Sequence, residues 1–178
     1  MPICVLDTES TGPAGLMRAS IIEIGAVVLT HEGEELGSFS CFVKPAYPVG
    51  SWCFHAMQAN QIDATLLHSA PTPDVVWSVL LDWLSLHKPV RQVLAFNSPF
   101  DKAIMAKAFP DSVLLPWGPC LMREASSLLS GTRASIKLAT AAKQFGLPVD
   151  ESSAHRALYD ARLAGKVYQK IMQRQALY

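Results

Sequence analysis

No apolar run in this 178-residue chain approaches the ~18 residues that a membrane-spanning helix needs, which argues against a helical membrane protein. Met1 is not followed by a basic stretch and a cleavable apolar segment, so a cytoplasmic protein without a membrane partner is expected. Cys4, Cys41, Cys53 and Cys120 form no Cys-x-x-Cys pair, so neither a zinc ribbon nor a thioredoxin-type site is suggested, and all four read as reduced thiols. Internal repeats, low-complexity segments and linkers are missing too. With half of its residues apolar, the chain reads as one globular domain over residues 1–178. Net charge is also absent, since 15 Lys/Arg balance 15 Asp/Glu, and whole-chain electrostatics therefore do not mark a nucleic-acid binder. The balance is uneven along the chain. Residues 1–90 hold 3 Lys/Arg against 9 Asp/Glu and residues 91–178 hold 12 against 6, giving −6 and +6. Either an acidic pocket lies beside a basic rim, as a site for cations and phosphates requires, or the charges are simply solvated.

What is present is a run of strand signals followed by helix signals. Ile3 to Leu6 is apolar and stops at Asp7 before Thr-Glu-Ser-Thr-Gly-Pro, which predicts a buried strand ending in a loop. Ile21 to Leu29 is apolar and β-branched, and Ser38 to Lys44 alternates, so a three-stranded meander is expected. Thr72 and Pro73 then open a helix whose Val76, Leu80 and Trp83 recur at helical spacing. Arg91 to Phe96 predicts a fourth strand, Asp101 to Phe109 a helix, and Ser135 to Phe145 another helix closed by Gly146 and Pro148. Ser152 or Ser153 is the expected cap of the last helix. The order fits an α/β fold, a mixed sheet covered by helices.

Three short segments carry chemistry. Asp7 and Glu9 are two apart at a strand end, so in extended geometry both carboxylates face one side. Like charges this close raise each other's proton affinity unless a cation neutralises them, and an all-oxygen set suits Mg²⁺ or Mn²⁺ better than Zn²⁺. The alternative is a pair that ends a strand and caps a turn. Asp101 follows a strand and a turn at the mouth of a helix, where an aspartate ordinarily caps backbone N–H groups. His155 and Asp160 are separated by about 500° of helix, so they converge only if His155 lies in the loop ahead of it.

These segments, in this order, resemble a known family. Val5-Leu-Asp-Thr-Glu-Ser-Thr-Gly12, Phe96-Asn-Ser-Pro-Phe-Asp101 and His155-Arg-Ala-Leu-Tyr-Asp-Ala161 are similar to the three motifs of the DEDDh, or DnaQ-like, 3′-to-5′ exonucleases. Ile21-Ile-Glu-Ile-Gly-Ala26, Val43-Lys-Pro45 and Ser135-Ile-Lys-Leu138 add to the likeness. The resemblance implies a ribonuclease H-like fold and a two-metal hydrolysis of phosphodiester bonds. It places Asp7, Glu9 and Asp160 on one metal and makes Asp7 a bridge to a second. Asp101 supports that second ion and His155 serves as general base, an imidazole being suited to that role near neutral pH. It further implies 3′ ends of nucleic acid as partner, with Thr8, Ser10, Thr11, His55, Met57 and Asn97 near the substrate. A polymerase partner or a homodimer is left open.

The pattern also has departures. Many relatives carry His-Asn where this chain has Phe96-Asn97, and His-Gly-Ile where it has His55-Ala-Met57; Met57 either wedges against the terminal base or is core packing. Asp7-Thr-Glu-Ser-Thr-Gly12 is nearer the proofreading version of the first motif than the oligoribonuclease one, which favours single-stranded DNA over short RNA. Arg133, Lys137, Lys143, Arg156 and Arg162 are candidate phosphate contacts, with surface solvation as the alternative. A non-catalytic binding module of the same fold, an enzyme of short RNA and a phosphatase using Asp7 and Glu9 remain competing readings. The last leaves His155 and Asp160 unexplained.

Overall fold

The computed structural model describes residues 1–87 and 89–176. Its centre is a mixed sheet. Strand β1 (Ile3–Ser10) pairs antiparallel with β2 (Ile21–Leu29), which pairs antiparallel with β3 (Glu35–Phe42). On the other side β1 pairs in parallel with a two-residue β4 (Val93–Leu94), so the order is β3-β2-β1-β4. Every position of β2 is buried, as a strand covered on both faces must be. The α-helices among the described residues are α1 (Phe54–Asn60), α2 (Ala64–His68), α3 (Pro73–Ser85), α4 (Ser98–Ala108), α5 (Leu121–Ser130), α6 (Leu138–Gln144) and α7 (Ala157–Gln175).

Alternation along the strands builds two cores. Cys4, Leu6, Ala26 and Val28 point to one face and pack with Val76, Leu80 and Leu84 of α3 and Ile104 and Met105 of α4. Ile3, Val5, Val27 and Leu29 point to the other, against Leu121 of α5, Ala141 of α6 and Leu163, Val167 and Ile171 of α7. Continuing that period, Asp7 and Glu9 fall on the α7 side of the sheet.

Several boundaries differ from the sequence reading for identifiable reasons. β1 does not stop at Asp7 but runs to Ser10, because β2 supplies partners as far as Glu9 opposite Glu23; a register shift follows at Ser10. The carboxylates therefore sit inside a paired strand beside a bulge, where bulges commonly re-aim side chains. β3 is displaced toward Glu35. The strand expected over 91–96 shortens to Val93–Leu94, since Arg91 N–H turns to Pro2 and Ala95 accepts from Leu121. α4 begins at Ser98, ahead of Asp101. Gly146, at φ 74°, does close α6, the left-handed conformation that favours glycine, but the helix itself starts only at Leu138. Ser152 and Ser153 do not cap α7. Their hydroxyls donate to Asp150 at 2.6 and 2.7 Å, and the helix starts four residues later than Ser153, at Ala157. Helices α1, α2 and α5 had no clear signal in the sequence. No helix among the described residues is long and apolar enough to cross a membrane.

Candidate active site

The carboxylates of β1 meet those of two helices. Asp101, in the first turn of α4, is 2 % exposed, and its Oδ1 accepts the Thr8 hydroxyl at 2.8 Å. It is thus not a helix cap but a buried acid held against β1. Asp160, one turn into α7, accepts the backbone N–H of His155 on Oδ2 at 3.1 Å. His155 lies in the turn before α7, in the left-handed conformation at φ 62°. One ligand atom each from Glu9, His155 and Asp160 lie within 4.8 Å of one another. The loop position that would let His155 and Asp160 converge is the one observed.

Crowding and burial act together on the acids. Removal from water, then repulsion from Asp101, Glu9, Asp160 and Glu23, drives the Asp7 carboxyl well above the usual range. Glu9 is pushed up to about 8, again by burial first and by Asp160, Glu23 and Asp101 next, with Arg156 opposing. Asp101 is pushed up to about 7 by burial, although the Thr8 hydroxyl pulls the other way. Asp160 is raised by burial. Four acids that resist ionising together, with one imidazole at their edge, are an oxygen-rich donor set, and a divalent cation fits it.

A stability prediction follows. These groups bind protons more tightly folded than unfolded, so their contribution is present below the unfolded carboxylate range and is lost as pH rises through the folded values. Metal-free protein should therefore become less stable between about pH 4 and the value of about 8 reached by Glu9. Mg²⁺ or Mn²⁺ at about a hundredfold above Kd should restore roughly 2.7 kcal/mol, or about 5–10 °C for a chain of this size. In thermal scans the gain should be larger at about pH 8 than at about pH 5, where protons compete with the metal. Equal gains at both would contradict it.

The remaining predicted residues are distributed differently. Asn97 is exposed at the start of α4 and lines, with His155 and Asp160, a cavity of about 400 Å³ whose other walls include Phe96, Met122, Lys137, Leu138 and Leu163. His55 is exposed on α1. The hydroxyls of three others are hydrogen-bonded within the fold. Thr8 holds Asp101, Ser10 donates to Gly12 at 2.7 Å, and Thr11 accepts Ser20 N–H at 2.9 Å. Met57, partly buried, packs on Ile22, Ile62 and Leu67. Of the five candidate phosphate contacts, Arg133, Lys143, Arg156 and Arg162 are ion-paired with Glu124, Glu151, Glu23 and Glu35. Among the described residues only Lys137 of the five has no carboxylate partner, and it lines the cavity. Sequence reasoning missed Glu23, which lies opposite Glu9 in the sheet and is 1 % exposed. A lone acid in an otherwise apolar nine-residue strand was the available signal.

Comparison with known proteins shows the family and the fold. Residues 4–168 match the RNase_T family model, described as exonuclease. The epsilon subunit of DNA polymerase III from Pasteurella multocida (strain Pm70) is 27 % identical over 176 residues, covering 92 % of this chain and 65 % of that protein. The chain thus spans just under two thirds of that relative. The nuclease domain of 3′hExo, described as a DEDDh family member bound to rAMP, superposes with a TM-score of 0.76 at 20 % identity, covering 97 % of this chain and 92 % of that one. Exonuclease X in complex with 5′ overhanging duplex DNA gives a TM-score of 0.70 at 23 % identity, covering 98 % and 93 %. The mixed sheet and its helical layers are the ribonuclease H-like exonuclease fold.

Proposed function

Since this chain belongs to the RNase_T exonuclease family of DnaQ-like 3′-to-5′ nucleases, we propose that it removes nucleotides from the 3′ end of single-stranded DNA. The products are 5′-mononucleotides. One observation carries the reading: Glu9, Asp160 and His155 converge within 4.8 Å beside Asp7 and the buried Asp101, with His155 and Asp160 lining a cavity of about 400 Å³. Asp7, Glu9 and Asp160 would hold one divalent ion, and Asp7 with Asp101 a second. When bound, the two ions, Mg²⁺ or Mn²⁺, supply Lewis-acid stabilisation of the attacking and leaving oxygens. Thr8 fixes the Asp101 carboxylate through its hydroxyl. His155 accepts the proton of the attacking water at an imidazole nitrogen, its exposed position in the turn before α7 giving that nitrogen access to solvent. Asn97 and Lys137, on the cavity wall, orient the nucleotide, with Lys137 against a phosphate.

Preference for DNA rests on the first motif, Asp7-Thr-Glu-Ser-Thr-Gly12. A second reading, cleavage of short RNA by the same chemistry, is favoured by the rAMP described in the 3′hExo structure. Association with a polymerase is suggested by the epsilon relative. The test is incubation of end-labelled single-stranded DNA, duplex DNA and RNA with the protein and Mg²⁺ or Mn²⁺. Metal-dependent shortening from the 3′ end, fastest on single-stranded DNA, is the expected result. No shortening of any substrate would defeat the enzyme reading, and faster loss of RNA would replace the substrate.

Lys137→Ala is expected to raise KM about 3–10-fold with kcat within about twofold, and to lower the slope of log affinity against log salt by about 1, as loss of one phosphate contact should. An unchanged slope would remove Lys137 from the substrate path.

A further inference from the structure

Glu23 is the one charged side chain in β2, and a buried carboxylate needs its charge balanced. The balance comes from 133 residues downstream. Arg156 donates from Nη2 to Glu23 Oε1 at 2.9 Å and from Nε to Oε2 at 3.3 Å, and Ala157 N–H donates to Oε2 at 3.2 Å. In the sheet Glu23 stands opposite Glu9 on β1 and Phe42 on β3, and the guanidinium carbon lies 5.6 Å from the Phe42 ring centroid. The next row holds Asp7 and Gly25. The first turn of α7 rests directly on Gly25: a Cβ there would lie 2.1 Å from the Ala157 carbonyl carbon. The start of α7 is therefore pinned at Gly25, at Glu23 and over Phe42. Just ahead of Arg156 comes His155 at φ 62°, in the left-handed region that non-glycine residues adopt uncommonly and at some cost.

We propose that Glu23 and Arg156 form a positioning clamp that fixes the start of α7 on β2 and so holds His155 and Asp160 over Asp7 and Glu9. Arg156 acts through those side chains and not as a phosphate contact, and Glu23 balances Arg156 in place of ligating metal. The roles of His155 and Asp160 rest on the exonuclease reading above; the clamp itself does not.

The test uses Arg156→Ala, Arg156→Lys and an Arg156→Ala/Glu23→Gln double variant, which leaves no unpaired buried charge if the single variant folds poorly. Amide exchange at His155 and Ala157 should quicken at least about tenfold while exchange in β1 and β2 is unchanged. Calorimetric titration should show Mn²⁺ affinity lower by about 10–100-fold. In turnover, kcat should fall by a similar factor with KM within about threefold, and Arg156→Lys should recover part of the loss because one ammonium cannot reproduce the guanidinium fork. In a His155→Ala background, Arg156→Ala should still lower Mn²⁺ affinity through Asp160 but cost less in kcat at saturating Mn²⁺ than it does in the unchanged protein, the signature of residues acting as a unit. Unchanged exchange and Mn²⁺ affinity in the double variant would overturn the clamp. So would a raised KM with a smaller salt slope, which would make Arg156 a phosphate contact. Exchange and Mn²⁺ affinity need no turnover. A protein that shortened no nucleic acid would defeat the exonuclease reading and leave these two measurements to decide the clamp.

Discussion

Asp7→Asn is expected to lower metal-dependent nuclease activity by about a thousandfold or more and, without metal at about pH 8, to unfold at a higher temperature than the unchanged protein. The two effects share one cause. Asp7 faces Asp101, Glu9, Asp160 and Glu23, and burial with their repulsion lifts its carboxyl well above the usual range. Above that range its ionised form costs the folded state free energy, so a neutral isostere relieves the protein while removing a metal ligand. The lost electrostatic stabilisation amounts to several kcal/mol of barrier, and each 1.36 kcal/mol is about a factor of ten. Thermal scans with EDTA and single-turnover assays with Mg²⁺ measure the two halves. Retained activity would remove Asp7 from the metal site. Lower stability would mean that its carboxylate is held by contacts worth more than the repulsion.

The second large effect concerns His155. A His155→Ala protein should retain metal-dependent stabilisation and substrate KM but lose about 10²–10⁴-fold in kcat, the contribution of a positioned general base. Full activity would end the general-base assignment. Loss of metal affinity comparable to that of the carboxylate variants would instead make His155 a ligand, an outcome that the 4.8 Å cluster with Glu9 and Asp160 makes worth measuring.

Charge shows how far sequence reasoning reached. The −6 and +6 halves suggested an acidic pocket beside a basic rim. An acidic pocket is there, but much of the basic complement is used within the fold. Arg156 and Arg162, from the basic half, pair with Glu23 and Glu35 from the acidic half and tie α7 to β2 and β3. The exposed Arg162–Glu35 pair contributes little stability by itself, whereas the Glu23–Arg156 pair sits beside the site and matters through geometry. A linear count of charge cannot distinguish a cation aimed at a phosphate from one aimed at a carboxylate 133 residues away.

The strand cores and the ligand candidates were legible because they depend on local pattern. A nine-residue apolar run such as Ile21–Leu29 has few alternatives to a buried strand, and Asp7 and Glu9 must share a side wherever the chain is extended. Boundaries were less legible. Ser152 and Ser153 have the chemistry of helix caps, but Asp150 offers their hydroxyls a nearer partner, and α5 lacked a start signal that a linear reading could separate from its loop. Thr8, Ser10 and Thr11 were read as substrate contacts because they sit in the motif; the fold adds that their hydroxyls have partners within the chain.

By itself the sequence determined the α/β class, the order of the four strands and of α3, α4, α6 and α7, the family pattern and the identity of the acids that could gather at one site, since all of these follow from residue type and short-range spacing. Tertiary structure decided what those residues face. It decided that β1 carries Asp7 and Glu9 as a paired strand, that Asp101 is held by Thr8, and that His155 stands in a strained turn beside Asp160. It also brought Glu23 and Arg156 together. Those outcomes depend on contacts between distant segments, and a short-range pattern does not contain them.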